Sequence, residues 1–194
     1  MGSDLSAVDW PVRTERLLLR PAGSADVEAT WRYRRLPEVN GWLTAAPTTI
    51  DRFRAYFDQP DRLAKTLMIE LDGEVIGDLM LAVGDPYAQA EVADDAMETQ
   101  AELGWCLAPH HAGHGYATEA VRELFRLCFE DLALRRVVAG CFAGNEPSWR
   151  LMERLGMRRE SHVVRESLHR SGEWMDGYVY ALLRDEWSPA RALG

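Results

Sequence analysis

Apolar residues recur along this 194-residue chain with two periods, and the switching between them lays out an ordered series of elements. Short runs rich in apolar and β-branched residues predict strands at Thr14 to Arg20, Thr66 to Leu71, Glu74 to Val83, Gln100 to Leu107, Arg136 to Phe142, about Met157 to Leu168, and Trp174 to Leu183. Asp72-Gly73, between the second and third of these, is the strongest hairpin signal in the chain, because both residues tolerate the positive φ of a tight turn. The segment HRSGE predicts another hairpin between the last two strands. Helical spacing appears in VEATWRYRR, after the N-cap candidates Ser24 and Asp26, and in RFRAYF, which follows Thr48, Thr49 and Asp51 and ends near Pro60. It is clearest from Tyr116 to Phe129, where Ala117, Ala120, Val121, Leu124, Phe125 and Cys128 share one face. A last helix opens at Asn145-Glu146-Pro147-Ser148 and stops at Gly156.

The resulting order, β-α-α-β-β-β-α-β-α-β-β, is unbroken by repeats or linkers. It predicts one α/β (α+β) domain over residues 1–194 with a mixed sheet, an ordered core at about 12–187 and short flexible tails, SPARALG being the C-terminal one.

Composition narrows the class. Hydrophobic residues are 47% and charged residues 27%, a globular balance that excludes disordered and collagen-like chains. No apolar run reaches membrane-spanning length, and MGSDLSAVDW lacks both the basic flank and the apolar stretch of a signal peptide, so the expectation is a cytoplasmic protein with no membrane partner. Cys106, Cys128 and Cys141 are widely spaced without a CxxC pair, which predicts reduced core thiols. A net charge of −9, from 22 basic and 31 acidic residues, argues against nucleic acid. No Lys or Arg lies between Lys65 and Arg122, while eleven Asp or Glu residues do. Such a middle would attract a cationic substrate, and an acidic solvated surface accounts for it equally well.

Between the QAELGWCL strand and the Tyr116 helix lies His110-His111-Ala112-Gly113-His114-Gly115-Tyr116-Ala117. A glycine-rich strand-to-helix turn presents backbone N–H groups at the positive end of the helix, an anion site above all suited to phosphate. A dinucleotide turn would need a third glycine where Thr118 stands and an acidic residue where Cys141-Phe142 end the next strand. A Walker loop would need Gly-Lys-Ser/Thr, and the only lysine is Lys65. An ordinary helix start is the plain alternative.

The turn resembles the Gln/Arg-x-x-Gly-x-Gly/Ala pattern of the GNAT superfamily of acyl-CoA-dependent N-acyltransferases, with His110 at the Gln/Arg position and Gly113 and Gly115 matching. GYATEA at 115–120, then Asn145-x-x-Ser148-x-x-x-Met152-Glu153-x-Leu155-Gly156-Met157, then Gly172-x-Trp174-x-Asp176, look like the branch that acetylates ribosomal-protein N-termini. The resemblance covers about Thr14 to Trp187. It implies a mostly antiparallel sheet of about seven strands with helices on both faces. It also implies that His110 and the Gly113, His114, Gly115, Tyr116, Ala117 and Thr118 turn bind the CoA pyrophosphate, and that the backbone of Trp105, Cys106 and Leu107 pairs with the pantetheine arm. Asn145 and Ser148 would face the same cleft, although each residue type also suits helix capping.

Acyl transfer from a thioester to an amine needs a held donor, a neutral amine, stabilisation of the oxyanion and a proton for the leaving thiolate. Many family members carry a Tyr four residues beyond the Ser148 position as the acid. Met152 stands there, and a thioether cannot donate a proton, so Ser148 is the candidate acid. Glu102 is the first candidate base: it alternates with apolar residues in its strand and is expected to point inward among them. Glu70 and Asp78 are the second choices, and together with Trp42 they are candidate acceptor-binding residues; exposed strand carboxylates and packed aromatics are the plain alternatives. His110 and His114 are four apart, but the glycines oppose a helix there, so no metal is expected. The expected activity is acetyl transfer from acetyl-CoA to a primary amine, on a protein N-terminus or a small molecule, by direct transfer in a ternary complex. Alternatives are a CoA-binding sensor or interaction module without activity, and transfer of a longer acyl group such as succinyl. A homodimer is compatible with the reading.

Overall fold

The structure of the protein, a computed structural model, describes residues 5–188. Of the expected flexible tails, residues 1–4 and Pro189 to Gly194 of SPARALG lie outside the described residues, whereas the rest of the N-terminal one is ordered: Leu5–Ala7 form a 3-10 turn, and Leu5 and Val8 are buried. Among the described residues the fold is mixed α/β, with seven α-helices and eight strands in one open, mostly antiparallel sheet of order β1-β2-β3-β4-β5-β6-β8-β7. The strands are β1 (Val12–Arg13), β2 (Leu18–Pro21), β3 (Thr66–Leu71), β4 (Glu74–Gly84), β5 (Gln100–Leu107), β6 (Arg136–Phe142), β7 (Arg158–Leu168) and β8 (Trp174–Leu183). The helices are α1 (Val27–Arg34), α2 (Pro37–Asn40), α3 (Ile50–Phe57), α4 (Pro60–Leu63), α5 (Ala93–Ala96), α6 (Tyr116–Arg126) and α7 (Glu146–Arg154). The expected strand count rises from about seven to eight because the first strand is broken: the chain turns at Thr14 to Leu17, where the Thr14 N–H bonds to the Leu17 carbonyl at 3.0 Å. Two compact units share these elements, Met1–Leu81 with Gly104–Glu123, and Ala82–Leu103 with Leu124–Gly194.

In the first unit β1, β2, β3 and β4 pair antiparallel in succession. The β3–β4 hairpin turns at Asp72 and Gly73, both at positive φ (50° and 83°), as the dipeptide predicts. Strand β3 buries Thr66 to Ile69 without alternation, the mark of a strand covered on both faces. Val27 of α1 and Phe53 and Phe57 of α3 pack on Met68, with the Trp31 ring tilted against Phe53 at a centroid distance of 5.2 Å. At α3 the Thr49 hydroxyl caps the Arg52 N–H, and Pro60 opens the short α4, where proline costs no helical hydrogen bond. At Gly77 β4 comes close to β5: a Cβ there would lie 2.5 Å from the Cys106 carbonyl oxygen.

In the second unit β5 runs parallel to β6 with Glu102 opposite Val138, while β8 pairs antiparallel with both β6 and β7. Ala101, Leu103, Val137 and Ala139 are buried and Glu102 is exposed, so one face of this pair is core and the other open. Helix α7 buries Leu151 and Met152 and ends at Gly156, whose φ of 82° suits the left-handed cap. The acidic connection carrying Asp85, Glu91, Asp94, Asp95 and Glu98 is exposed throughout these residues.

Candidate functional site

The glycine-rich turn lies wholly in the first unit. Pro109 to His111 form a single 3-10 turn after β5, Gly113 and Gly115 take φ of 81° and 82°, and α6 begins at Tyr116. The first helical bond back to the turn runs from the Glu119 N–H to the Gly115 carbonyl. Among the described residues, the N–H groups from Gly113 to Thr118 have no backbone acceptor. That row at a helix N-terminus is the donor set a pyrophosphate requires. Nothing lies within 4 Å of a Cβ placed on Gly113.

The turn is held from across the sequence. Glu119 accepts hydrogen bonds from the Thr14 hydroxyl (2.5 Å), the Arg16 backbone N–H (2.8 Å) and Arg16 Nε (2.7 Å), while Arg16 Nη1 donates to the His114 carbonyl (2.9 Å). The Arg16 guanidinium also lies 4.6 Å above the Tyr116 ring. Burial alone would raise the Glu119 pKa, but the bonds from Thr14 and Arg16 outweigh it and hold the carboxyl below the usual glutamate range. Sequence reasoning missed this clasp, whose halves are 103 residues apart. The residue GYATEA-Glu119 was in view, but its partners were not.

The carboxylates proposed as bases separate sharply. Asp78, 2% exposed, accepts from the Tyr33 hydroxyl at 2.5 Å and Arg34 Nε at 2.9 Å, and Arg34 Nη2 completes a bidentate pair. Glu70 accepts from Arg20 Nε at 2.8 Å, and Arg20 also forks onto Asp26. Both carboxylates are thus engaged by guanidinium groups. Glu102, in the second unit, has no ion pair or side-chain hydrogen bond among the described residues. Its expected inward orientation is corrected: it is exposed because Ala101 and Leu103 take the buried face, and successive strand residues point to opposite faces. Trp42 is 38% exposed, and its backbone N–H bonds to the Val39 carbonyl.

Also in the second unit, Asn145 stands at the N-cap of α7 without a side-chain cap bond, and the Ser148 N–H bonds to the Asn145 carbonyl at 3.1 Å. Ser148 is the third residue of the helix, which overturns its reading as a cap. Its hydroxyl bonds instead to Cys141, whose thiol burial pushes up to about 11. Met152 is 1% exposed. Trp149 Nε1 fixes the loop by donating to the Ala143 carbonyl at 3.1 Å. Cys106 and Cys128 are buried free thiols and Cys141 is half-buried, as expected of reduced core cysteines.

Near the turn, the His110 and His111 rings lie tilted against one another with centroids 4.2 Å apart, and burial together with neighbouring His110 lowers the His111 pKa. His110 and His114 do not share a helix, in line with the glycines beside them: α6 starts only at Tyr116.

Among the described residues no helix is long and apolar enough to cross a membrane. Residues 16–158 match the family model "Acetyltransferase (GNAT) domain". The chain is 29% identical over 180 residues to the uncharacterized N-acetyltransferase YnaD of Bacillus subtilis, covering 91% of this chain and 99% of that one. It superposes with a TM-score of 0.75 on a GNAT-family acetyltransferase from Bacillus anthracis, at 29% identity over 90% of this chain and 99% of the other. RimL, a ribosomal L7/L12 alpha-N-protein acetyltransferase solved with coenzyme A, shares the fold with a TM-score of 0.74 at 19% identity, over 90% and 97% of the two chains. With the fold, the helix-start donor row and the family match over most of its length, the chain belongs to the GNAT family of N-acetyltransferases.

Proposed function

We propose that this protein transfers an acetyl group from acetyl-CoA directly to a primary amine in a ternary complex, and that it does so in the cytoplasm. The observation that carries the reading is the row of unpartnered N–H groups from Gly113 to Thr118, braced by the Arg16–Glu119 clasp. These amides would hold the pyrophosphate, with His110 and His114 beside it and the backbone of Trp105 to Leu107 along the pantetheine arm. When bound, acetyl-CoA supplies the acetyl thioester.

Glu102 would take the amine proton, directly or through water, because among the three carboxylates considered it is the one no cation neutralises. Ser148 would return a proton to the departing thiolate from the first turn of α7, near Asn145. Asp78 supports the site by holding Tyr33 and Arg34 rather than by taking protons. For the acceptor, the acidic, lysine-free middle of the chain favours a cationic amine, and RimL's action on a protein N-terminus makes that class the first to try.

The test is calorimetric titration with CoA, followed by free-thiol release from acetyl-CoA across peptides with free N-termini, amino acids, polyamines and aminoglycosides. The reading expects release only when an amine is present. CoA binding with no release for any amine would favour the second reading, a CoA-binding module, which the enclosed Met152 at the usual acid position supports. Succinyl-CoA in parallel reports the acyl preference.

A further inference from the structure

Just before the phosphate turn, Glu74 of β4 and the adjacent His110 and His111 each offer a ligand atom, and these atoms all lie within 4.8 Å of one another. All three residues belong to the first unit. We propose that they form a binding site for a borderline-soft divalent transition ion such as Zn²⁺ or Ni²⁺, beside the glycine-rich turn and sharing His110 with it. Two imidazoles and one carboxylate are the donor set such ions favour over Mg²⁺ or Ca²⁺.

A second observation points the same way. His111 Nε2 is buried and has no hydrogen-bond partner among the described residues, whereas buried polar atoms are almost always partnered. A neutral imidazole donates from one nitrogen and presents a lone pair on the other, so a metal ion can serve one of them. Geometry permits closure. Metal–ligand bonds near 2.0–2.1 Å place tetrahedral donors about 3.3 Å apart. Glu74 and His110 are exposed and have rotamer freedom to close the remaining distance, while His111 is half-buried and fixes the position. Backbone bonds hold the platform: the His111 N–H donates to the Ala108 carbonyl at 3.0 Å and the Ala108 N–H to the Ile76 carbonyl at 2.8 Å, tying the 3-10 turn to β4 two residues from Glu74. The sequence suggested a different pair, His110 with His114, and dismissed it for want of a helix. The 3-10 turn instead sets adjacent histidines side by side, and the β4 carboxylate that joins them comes from 36 residues earlier in the chain.

The site is tested on the full chain, free of any histidine tag and stripped of metal by a chelator. Zn²⁺ is titrated calorimetrically, and Co²⁺ is added in parallel to read the visible bands of a low-coordinate site. One Zn²⁺ per chain is expected, with Co²⁺ bands that Zn²⁺ bleaches. Loss of one ligand should weaken binding at least ~10-fold, since loss of an outer-shell partner alone costs that much. His111→Ala, His110→Ala and Glu74→Gln should each show this, while His162→Ala, in the second unit and paired with Asp176, should bind like the parent. Each variant's metal-free melting temperature, matched to the parent, confirms that the comparison is between folded proteins. If His111→Ala fails that check, Glu74→Gln, an exposed conservative change, decides the matter. No stoichiometric binding, unchanged affinity in Glu74→Gln, or equal loss in His162→Ala would overturn the proposal. None of these readouts depends on CoA or turnover.

Discussion

Two helix starts, one in each unit, show how the same element can be built for different work. At α6 the chain enters through two positive-φ glycines, the leading N–H groups have no backbone acceptor, and a carboxylate of the first turn is gripped by Thr14 and Arg16. At α7 the chain enters through Asn145 and Pro147, the Ser148 and Trp149 N–H groups bond back to the Asn145 carbonyl, and the Trp149 indole is tied to Ala143. The first start leaves its leading donors without a backbone acceptor and draws its rigidity from distant residues. The second satisfies its own donors and carries a half-buried Ser148, whose hydroxyl bonds to a weakly acidic thiol. Binding strength is therefore expected to depend on the first start and chemistry on the second unit.

The sharpest break is Gly115→Glu. The added Cβ meets only the flexible end of Arg16 at 3.4 Å, but φ of 82° strains any side chain and the new charge opposes the phosphates. Like-charge juxtaposition costs several kcal/mol, so CoA affinity measured by calorimetry should fall ~100-fold or more, while circular dichroism shows a folded protein. Next, Glu102→Gln removes basicity and keeps shape, so kcat/KM should fall by ~10²-fold at neutral pH, with CoA affinity unchanged. The deficit should narrow as pH rises and free amine accumulates; an equal loss at every pH would point away from a base.

How legible these features were depended on the range of the physics behind them. The Asp72-Gly73 hairpin and the apolar stripe of α6 were readable because turn chemistry and helical period act over a few residues. The extra strand break at Thr14 to Leu17 was not, since TERLLLR carries no turn dipeptide and the bend is enforced by Glu119, over a hundred residues away. The short helices α2 and α4, each opened by proline and four residues long, were not predicted, because so few residues show no helical period. Glu102 was misplaced although the rule was at hand: with Ala101 and Leu103 buried, alternation sends the residue between them outward. Asp78 shows the opposite failure, since a buried strand carboxylate is silent in sequence until Arg34 and Tyr33 are seen to meet it.

Smaller effects sharpen the contrast. Ser148→Ala should lower kcat by about 10-fold with CoA affinity intact, at the low end for a proton donor because a thiolate leaves readily. Its melting temperature should stay near the parent's, since the hydroxyl caps no helix donor. Rescue by Met152→Tyr is not expected: Met152 is enclosed, and overpacking there costs ~1–3 kcal/mol. Glu119→Gln should destabilise by about 1–2 kcal/mol at neutral pH, the low end of the range because Arg16 is 41% exposed, or a fall of a few degrees in thermal melts. Because the folded Glu119 pKa lies below its unfolded value of about 4.5, this contribution is present above pH 4.5 and disappears as pH falls through the folded value. The melting curves of parent and variant should therefore converge in acid.

The most direct measurement is amide-resolved NMR of the protein titrated with CoA. The account predicts that the largest proton shifts fall on the N–H groups from Gly113 to Thr118, saturating at one CoA per chain, and that Gly115→Glu abolishes them. Stoichiometric CoA binding that leaves those amides unmoved would contradict it.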